Sequence, residues 1–191
     1  KKNSFFALKA HLINPSGQVL YHTPWKNELT GILRGNPEAL FEIILFSHVG
    51  CQECRVLERS IEEPLRGLID EGFIRLRIFE MPQSPQDEAL ASLVTCLEGS
   101  SEFRKKLINR ANLTLEYAQL EKTRMGLQAS CDSEEISGRL EKRAAILKEA
   151  GGVSLPVLYV GKTSGSQWIR LSGAQPWEMI ENTLSKLIDS Y

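Results

Sequence analysis

Residues 41–79 read FEIILFSHVGCQECRVLERSIEEPLRGLIDEGFIRLRIF, and the fold is decided there. Ala39 to Ser47 is strongly apolar, and the branched pair Ile43-Ile44 favours a strand. Because it is apolar on both faces, it reads as a central strand of a covered sheet. From Cys54 onward, Val56, Leu57, Ile61, Leu65, Leu68 and Ile69 recur at helical spacing, which predicts a helix to about Asp70. Pro64 lies inside that helix and is expected to kink it, and Gly72 to end it. Phe73 to Phe79 then alternates apolar and basic residues as a second strand. The order is strand, helix, strand, with two cysteines at the first junction.

Those cysteines, in Cys51-Gln52-Glu53-Cys54, carry the chemistry. A cysteine attacks only as its thiolate, and the free side chain has a pKa of about 8.5, so a reactive one needs help to ionise. The first turn of a helix supplies that help through unpaired N–H groups and the positive end of the dipole. Cys51 lies where the helix should begin. Cys54 is one turn further on the same face, close enough to close a disulfide. The spacing therefore predicts Cys51 as the attacking thiol and Cys54 as the resolving one. Half of a zinc site is the competing reading. However, Cys96 and Cys131 lie 42 and 77 residues beyond Cys54, no second C-x-x-C exists, and His11, His22 and His48 form no ligand pair at zinc spacing. Neither a metal nor an organic cofactor is expected.

Before the central strand, Phe5 to Ile13 reads as a strand, Asn14-Pro15-Ser16-Gly17 as a turn, and Val19-Leu20-Tyr21 as a short extended run. The polar stretch Asn27 to Asn36 is expected to be helical around Leu29, Ile32 and Leu33. From Pro85 to about Ala150 the pattern is all helical. One helix is marked by Ala89 to Leu97, a second by Phe103, Leu107 and Ile108, a third by Leu113 to Leu127, and a fourth by Ile136, Leu140, Ala144 and Leu147. Gly151-Gly152 breaks the pattern, Leu155 to Val160 and Trp168 to Leu171 read as partnered strands, and Gln175-Pro176 opens a terminal helix. The expected organisation is an N-terminal strand and extension over 1–38, a first part of the main domain over 39–84, an inserted helical domain over 85–150, and a second part over 151–191.

The chain has 191 residues, 42% hydrophobic and 25% charged, which is ordinary for a globular protein whose core needs no disulfide to persist. A net charge of −1 and a pI of about 6.4 disfavour nucleic acid and anionic membranes as partners. No apolar run approaches the roughly 20 residues that cross a bilayer, so no transmembrane segment is expected. No secretory leader is read at Lys1-Lys2-Asn3-Ser4-Phe5, where a targeting segment is expected to have been cut away.

With these elements in place, the chain resembles the DsbA family of extracytoplasmic disulfide oxidoreductases, in its broad thioredoxin-like branch. The resemblance runs from about Phe41 to Leu187. It rests on Phe46-Ser47 ahead of the Cys51–Cys54 motif, the inserted helices, Pro156, and Gly173-Ala174-Gln175-Pro176 before the last helix. Cys131-Asp132-Ser133-Glu134, leading a long helix into Gly152-Val153, looks like that branch too, and Cys96 ahead of Gly99 and Phe103 has a counterpart there. The first forty residues show no such likeness. The resemblance implies an α/β thioredoxin fold with an inserted helical domain. It also implies a cis-proline at Pro156 facing the cysteine pair, where the backbone of Leu155 can pair with an extended substrate segment. Cys96 and Cys131 would form a second, structural disulfide; two buried free thiols are the alternative. The partners implied are cysteine-containing protein substrates and a membrane redox protein, and the location is periplasmic or otherwise extracytoplasmic.

Three departures bear on redox tuning. Family members often carry a buried carboxylate six residues before the first cysteine, where this chain has Leu45. Strongly oxidising members place a histidine where Glu53 stands beside Gln52. Repulsion between Glu53 and a thiolate at roughly 7 Å is about 0.6–2.4 kcal/mol for effective dielectrics between about 80 and 20, or about half to almost two pKa units. Leu155 stands where threonine or valine is more usual, so no hydroxyl is offered to the thiols. The first two departures predict a less oxidising pair. His48 would partly offset Glu53 if protonated, and otherwise reads as an exposed loop histidine. The function expected is thiol–disulfide exchange with extracytoplasmic proteins, leaning towards reductase or isomerase. A thioredoxin-fold chaperone or adaptor with a structural cysteine pair is the alternative.

Overall fold

The computed structural model describes residues 12–13, 19–22, 26, 30–48, 50–98, 100, 114–124, 126, 131–149 and 154–189. In chain order the elements are β1 (Leu12–Ile13), β2 (Val19–His22), β3 (Ile32–Arg34), β4 (Phe41–Ser47), α1 (Gln52–Asp70), β5 (Ile74–Glu80) and a 3-10 turn (Pro85–Asp87). They continue with α2 (Glu88–Leu97), α3 (Leu115–Arg124), α4 (Ser133–Glu149), β6 (Val157–Lys162), β7 (Gln167–Ser172) and α5 (Trp177–Asp189).

The strands form one sheet in the order β1-β2-β7-β6-β4-β5-β3. β4 and β5 are parallel and joined through α1, whereas β6 is antiparallel to both β4 and β7. This is a thioredoxin-like α/β fold with helices inserted between β5 and β6. Every residue of β4 is buried, as a central strand covered on both faces requires. Alternation along the strand divides the core in two. Phe41, Ile43 and Leu45 pack with Leu57, Ile61 and Leu65 of α1 and with Ile180 and Leu184 of α5. Ile44 and Phe46 pack on the other face with Phe79, Tyr159, Trp168, the α4 residues Ile146 and Leu147, and both Cys51 and Cys54. Each Leu or Ile so buried contributes roughly 1.5–3 kcal/mol, so a charge at Leu57 would unseat α1 and the cysteines it carries. Glu42 is tolerated in this strand because Arg75 and Arg77 of β5 each meet its carboxylate at 2.7 Å.

α1 runs through Pro64 as one element. It ends where the Glu71 and Gly72 N–H groups donate back to the carbonyls of Gly67 and Ile69. Gly72 takes φ 75°, the left-handed conformation glycine adopts without a Cβ clash, and the chain turns there into β5. The helix expected around Ile32 and Leu33 is instead β3, an antiparallel edge strand whose Ile32 faces Ile78 and whose Leu33 faces Arg77. A three-residue strand is too short to show a period, so pairing with β5 sets its conformation rather than spacing. Thus residues before β4 occupy both edges of the sheet: β1 and β2 beyond β7, and β3 beyond β5. Leu29, the helix expected around Phe103, Leu107 and Ile108, the turn at 14–17 and Gly151-Gly152 lie outside the described residues.

The inserted helices meet the sheet through a buried charge. The Arg143 guanidinium of α4 sits 2.6 Å from both Glu98 carboxylate oxygens and donates to Thr95 Oγ1 at 3.0 Å and to the Thr30 carbonyl at 2.8 Å. It also donates to the Glu80 carbonyl at 3.3 Å and stacks 4.8 Å over the Phe79 ring. Burial pushes the Glu98 carboxyl up to about 7 against the pull of Arg143. Cys96, near the end of α2, and Cys131, just ahead of α4, are bonded with Cα atoms 5.3 Å apart. Among the described residues no helix is long and apolar enough to cross a membrane.

Candidate active site

Cys51 caps α1. Its backbone is extended (φ −79°, ψ 122°), and its sulfur accepts the Cys54 N–H at 3.1 Å, one of the donors a helix start leaves unpaired. The two sulfurs are bonded, with Cα atoms 5.2 Å apart, inside the range that closes a disulfide without backbone strain. Cys51 is 8% exposed and Cys54 fully buried, so solvent and any partner meet Cys51 first. Gln52 and Glu53 are exposed beside it.

The loop ahead of β6 forms the other wall. Pairing of Val157 with Phe46 carries the preceding residues past the end of β4 towards the cap of α1. The Leu155 carbonyl oxygen lies 3.9 Å from the Cys51 sulfur, and the Leu155–Pro156 peptide is cis. Leu155 and Pro156 are buried.

His48 is not an exposed loop residue. Its ring is 3% exposed, with Nδ1 2.8 Å from Glu80 Oε1 and Nε2 3.2 Å from Asp87 Oδ1. Its carbonyl accepts the Cys51 N–H at 3.1 Å. Burial is the largest influence on the ring and disfavours its charge, but Glu80 and Asp87 together outweigh burial and raise the pKa. The Asp87 carboxyl is held below its usual range, first by the Ser84 hydroxyl and also by His48. Close by, Ser47 Oγ donates to Glu58 of α1.

This arrangement, a bonded C-x-x-C at the cap of the crossover helix with a proline-led strand opposite, is accompanied by a match of the thioredoxin family profile over residues 27–183. The chain belongs to the thioredoxin family. Three solved structures show how this thioredoxin-family fold is elaborated. Alpha-DsbA1 of Wolbachia pipientis superposes with a TM-score of 0.64 at 18% identity, covering 84% of this chain and 92% of its own. The catalytic domain of Proteus mirabilis ScsC gives 0.63 at 14% identity, with 87% and 94% covered. A periplasmic thioredoxin-like protein of Salmonella enterica serovar Typhimurium gives 0.60 at 15%, with 82% and 89% covered. Among curated proteins none matches the chain in sequence.

The structure brings His48, Gln52 and Glu53 around the Cys51–Cys54 pair and sets Leu155 and Pro156 against it, while Cys96 and Cys131 lie apart in the inserted helices. Sequence reasoning missed Glu80, Asp87, Ser47 and Glu58. Glu80 had a signal: it is an acid closing a buried strand, and parallel pairing sets it beside Ser47 at the cysteine end of the sheet. Asp87 had none, because only the path after β5 brings the 3-10 turn back to His48.

Proposed function

We propose that this thioredoxin-family protein is a thiol–disulfide oxidoreductase acting on proteins outside the cytoplasm. One observation carries the reading: Cys51 and Cys54 are bonded across the cap of α1, with Cys51 the more exposed of the two and Cys54 fully enclosed. In the reducing direction the Cys51 thiolate attacks a substrate disulfide, forms a mixed disulfide and releases one substrate thiolate. Cys54 then attacks the Cys51 sulfur, closes the internal disulfide and releases the second substrate thiol. A membrane redox partner restores the dithiol, and oxidation runs through the same steps reversed. Leu155 and Pro156 dock the substrate backbone beside Cys51. Cys96–Cys131 is structural.

We assign residues 39–84 and 151–191 to the thioredoxin unit, 85–150 to the helical insertion and 1–38 to an N-terminal strand and extension. The likeness to a structure described as periplasmic supports the location. Glu53, facing solvent beside Cys51, disfavours its thiolate and makes the pair less oxidising than one with histidine there. The test is insulin reduction with cysteine variants. Cys51→Ala should abolish turnover, and Cys54→Ala should accumulate mixed disulfides through Cys51. Equal trapping by both variants contradicts the assigned roles, and an absence of cysteine-dependent turnover would favour a chaperone or adaptor.

A further inference from the structure

His48 occupies a position that the exchange steps do not use. Its ring is buried, yet each nitrogen faces a carboxylate: Nδ1 faces Glu80 at 2.8 Å and Nε2 faces Asp87 at 3.2 Å. An ionised carboxylate only accepts, and a neutral imidazole has a single N–H, so donation to both requires the imidazolium. The ring is pressed against the residue before the attacking cysteine: a Cβ added to Gly50 would lie 2.5 Å from Nε2. The His48 carbonyl meanwhile holds the Cys51 N–H at 3.1 Å. One residue is therefore fixed at one end by the sheet and the 3-10 turn and at the other by the cap of α1.

We propose that His48 is a positioning residue for Cys51, fixing the turn that presents the sulfur and placing a positive charge behind it. The proposal rests on the redox reading of Cys51 and Cys54 and adds its internal regulator. The other charged groups packed here are Arg143 of α4, which binds the Glu80 carbonyl, its partner Glu98 near the end of α2, Glu58 of α1 beneath Ser47, and Glu53 on the solvent side. Among these groups the imidazolium is the cation packed against the Gly50–Cys51 backbone. Loss of its proton removes both the charge and one of the two bonds that hold the turn.

The test compares the full chain with His48→Gln and Asp87→Asn, each in a Cys54→Ala background so that Cys51 titrates alone. Ionisation is followed by thiolate absorbance and by the pH dependence of iodoacetamide alkylation; the reduction potential is measured with Cys54 restored. In His48→Gln the Cys51 thiolate fraction at neutral pH should fall about threefold or more, as removal of one charge at roughly 7 Å implies. The parent profile should also show a second inflection as His48 loses its proton, and His48→Gln should lack it. Asp87→Asn spares the buried Glu80 contact and should move that inflection to lower pH; this shift decides the matter if His48→Gln does not fold. Superimposable Cys51 titrations in the parent and in the folded variants overturn the proposal and leave the redox reading intact. A Cys51 inert to alkylation throughout overturns both.

Discussion

The imidazole of His48 sits where burial, the largest single influence, opposes its charge; the Glu80 hydrogen bond and charge, with Asp87, reverse the balance and raise its pKa. A histidine whose folded pKa is raised stabilises the fold fully below its unfolded value of about 6.5 and loses that contribution as pH rises through the folded value. His48→Gln should therefore be less stable than the parent at pH 6, with the gap narrowing as pH rises above the unfolded value, as read from urea midpoints. A constant gap would mean that the ring serves only as packing. In the proposed tuning, Glu53 opposes the same sulfur from the solvated side, where screening favours the lower end of the repulsion range. Glu53→His should lower the Cys51 pKa and make the couple more oxidising, by about 13–50 mV on removing the repulsion alone. Identical titration and glutathione equilibrium for this variant and the parent would show that Glu53 points away from the sulfur.

At the level of elements, α2 and α4 share a small cluster of buried apolar residues among the described residues. Ala91, Ile136 and Leu140 form it, and Cys96 and Cys131 pack against it. The Cys96–Cys131 bond ties α2 to the residues just ahead of α4 beside this cluster. Closing a loop of sequence separation 35 should stabilise by roughly 3–4 kcal/mol in the chain-entropy model. A Cys96→Ser/Cys131→Ser double variant should lose about that much stability, measured by urea unfolding, while retaining Cys51-dependent exchange. Alkylation of both thiols in the untreated protein would rule out the bond.

Across the whole molecule, Arg143 is the side chain through which α4 reaches α2, the end of β5 and Thr30 at once. Removing one member of a buried ion pair typically costs about 3–5 kcal/mol, because the other loses the charge that offsets its desolvation. Arg143→Met should therefore be destabilised by about that amount at pH 8. The deficit should shrink at pH 5, because a Glu98 carboxyl already raised to about 7 by burial is then protonated. Adding Glu98→Leu should recover much of the loss at pH 8, and a double-mutant cycle from urea midpoints checks this. A deficit independent of pH would assign the cost to lost stacking on Phe79 and not to loss of the ion pair.

The sequence by itself determined the crossover unit. The two-sided apolar run Ile43 to Phe46, the helical period from Leu57 to Leu65 and the cysteines at the junction are local patterns, and local patterns survive without a partner. Position alone also set Cys51 apart as the cap residue, since a helix start offers its N–H groups wherever it occurs. Tertiary structure decided the rest, for reasons of contact and dielectric. β3 is a strand only because β5 offers it an edge. His48 is buried with its pKa raised only because Glu80 and Asp87, 32 and 39 residues away in the chain, converge on its ring. Arg143 is tolerated in the interior only because Glu98, Thr95 and two carbonyls meet it there. Spacing in a sequence records which face a residue takes, whereas the charge state of a buried group depends on which distant groups the fold brings within hydrogen-bond reach.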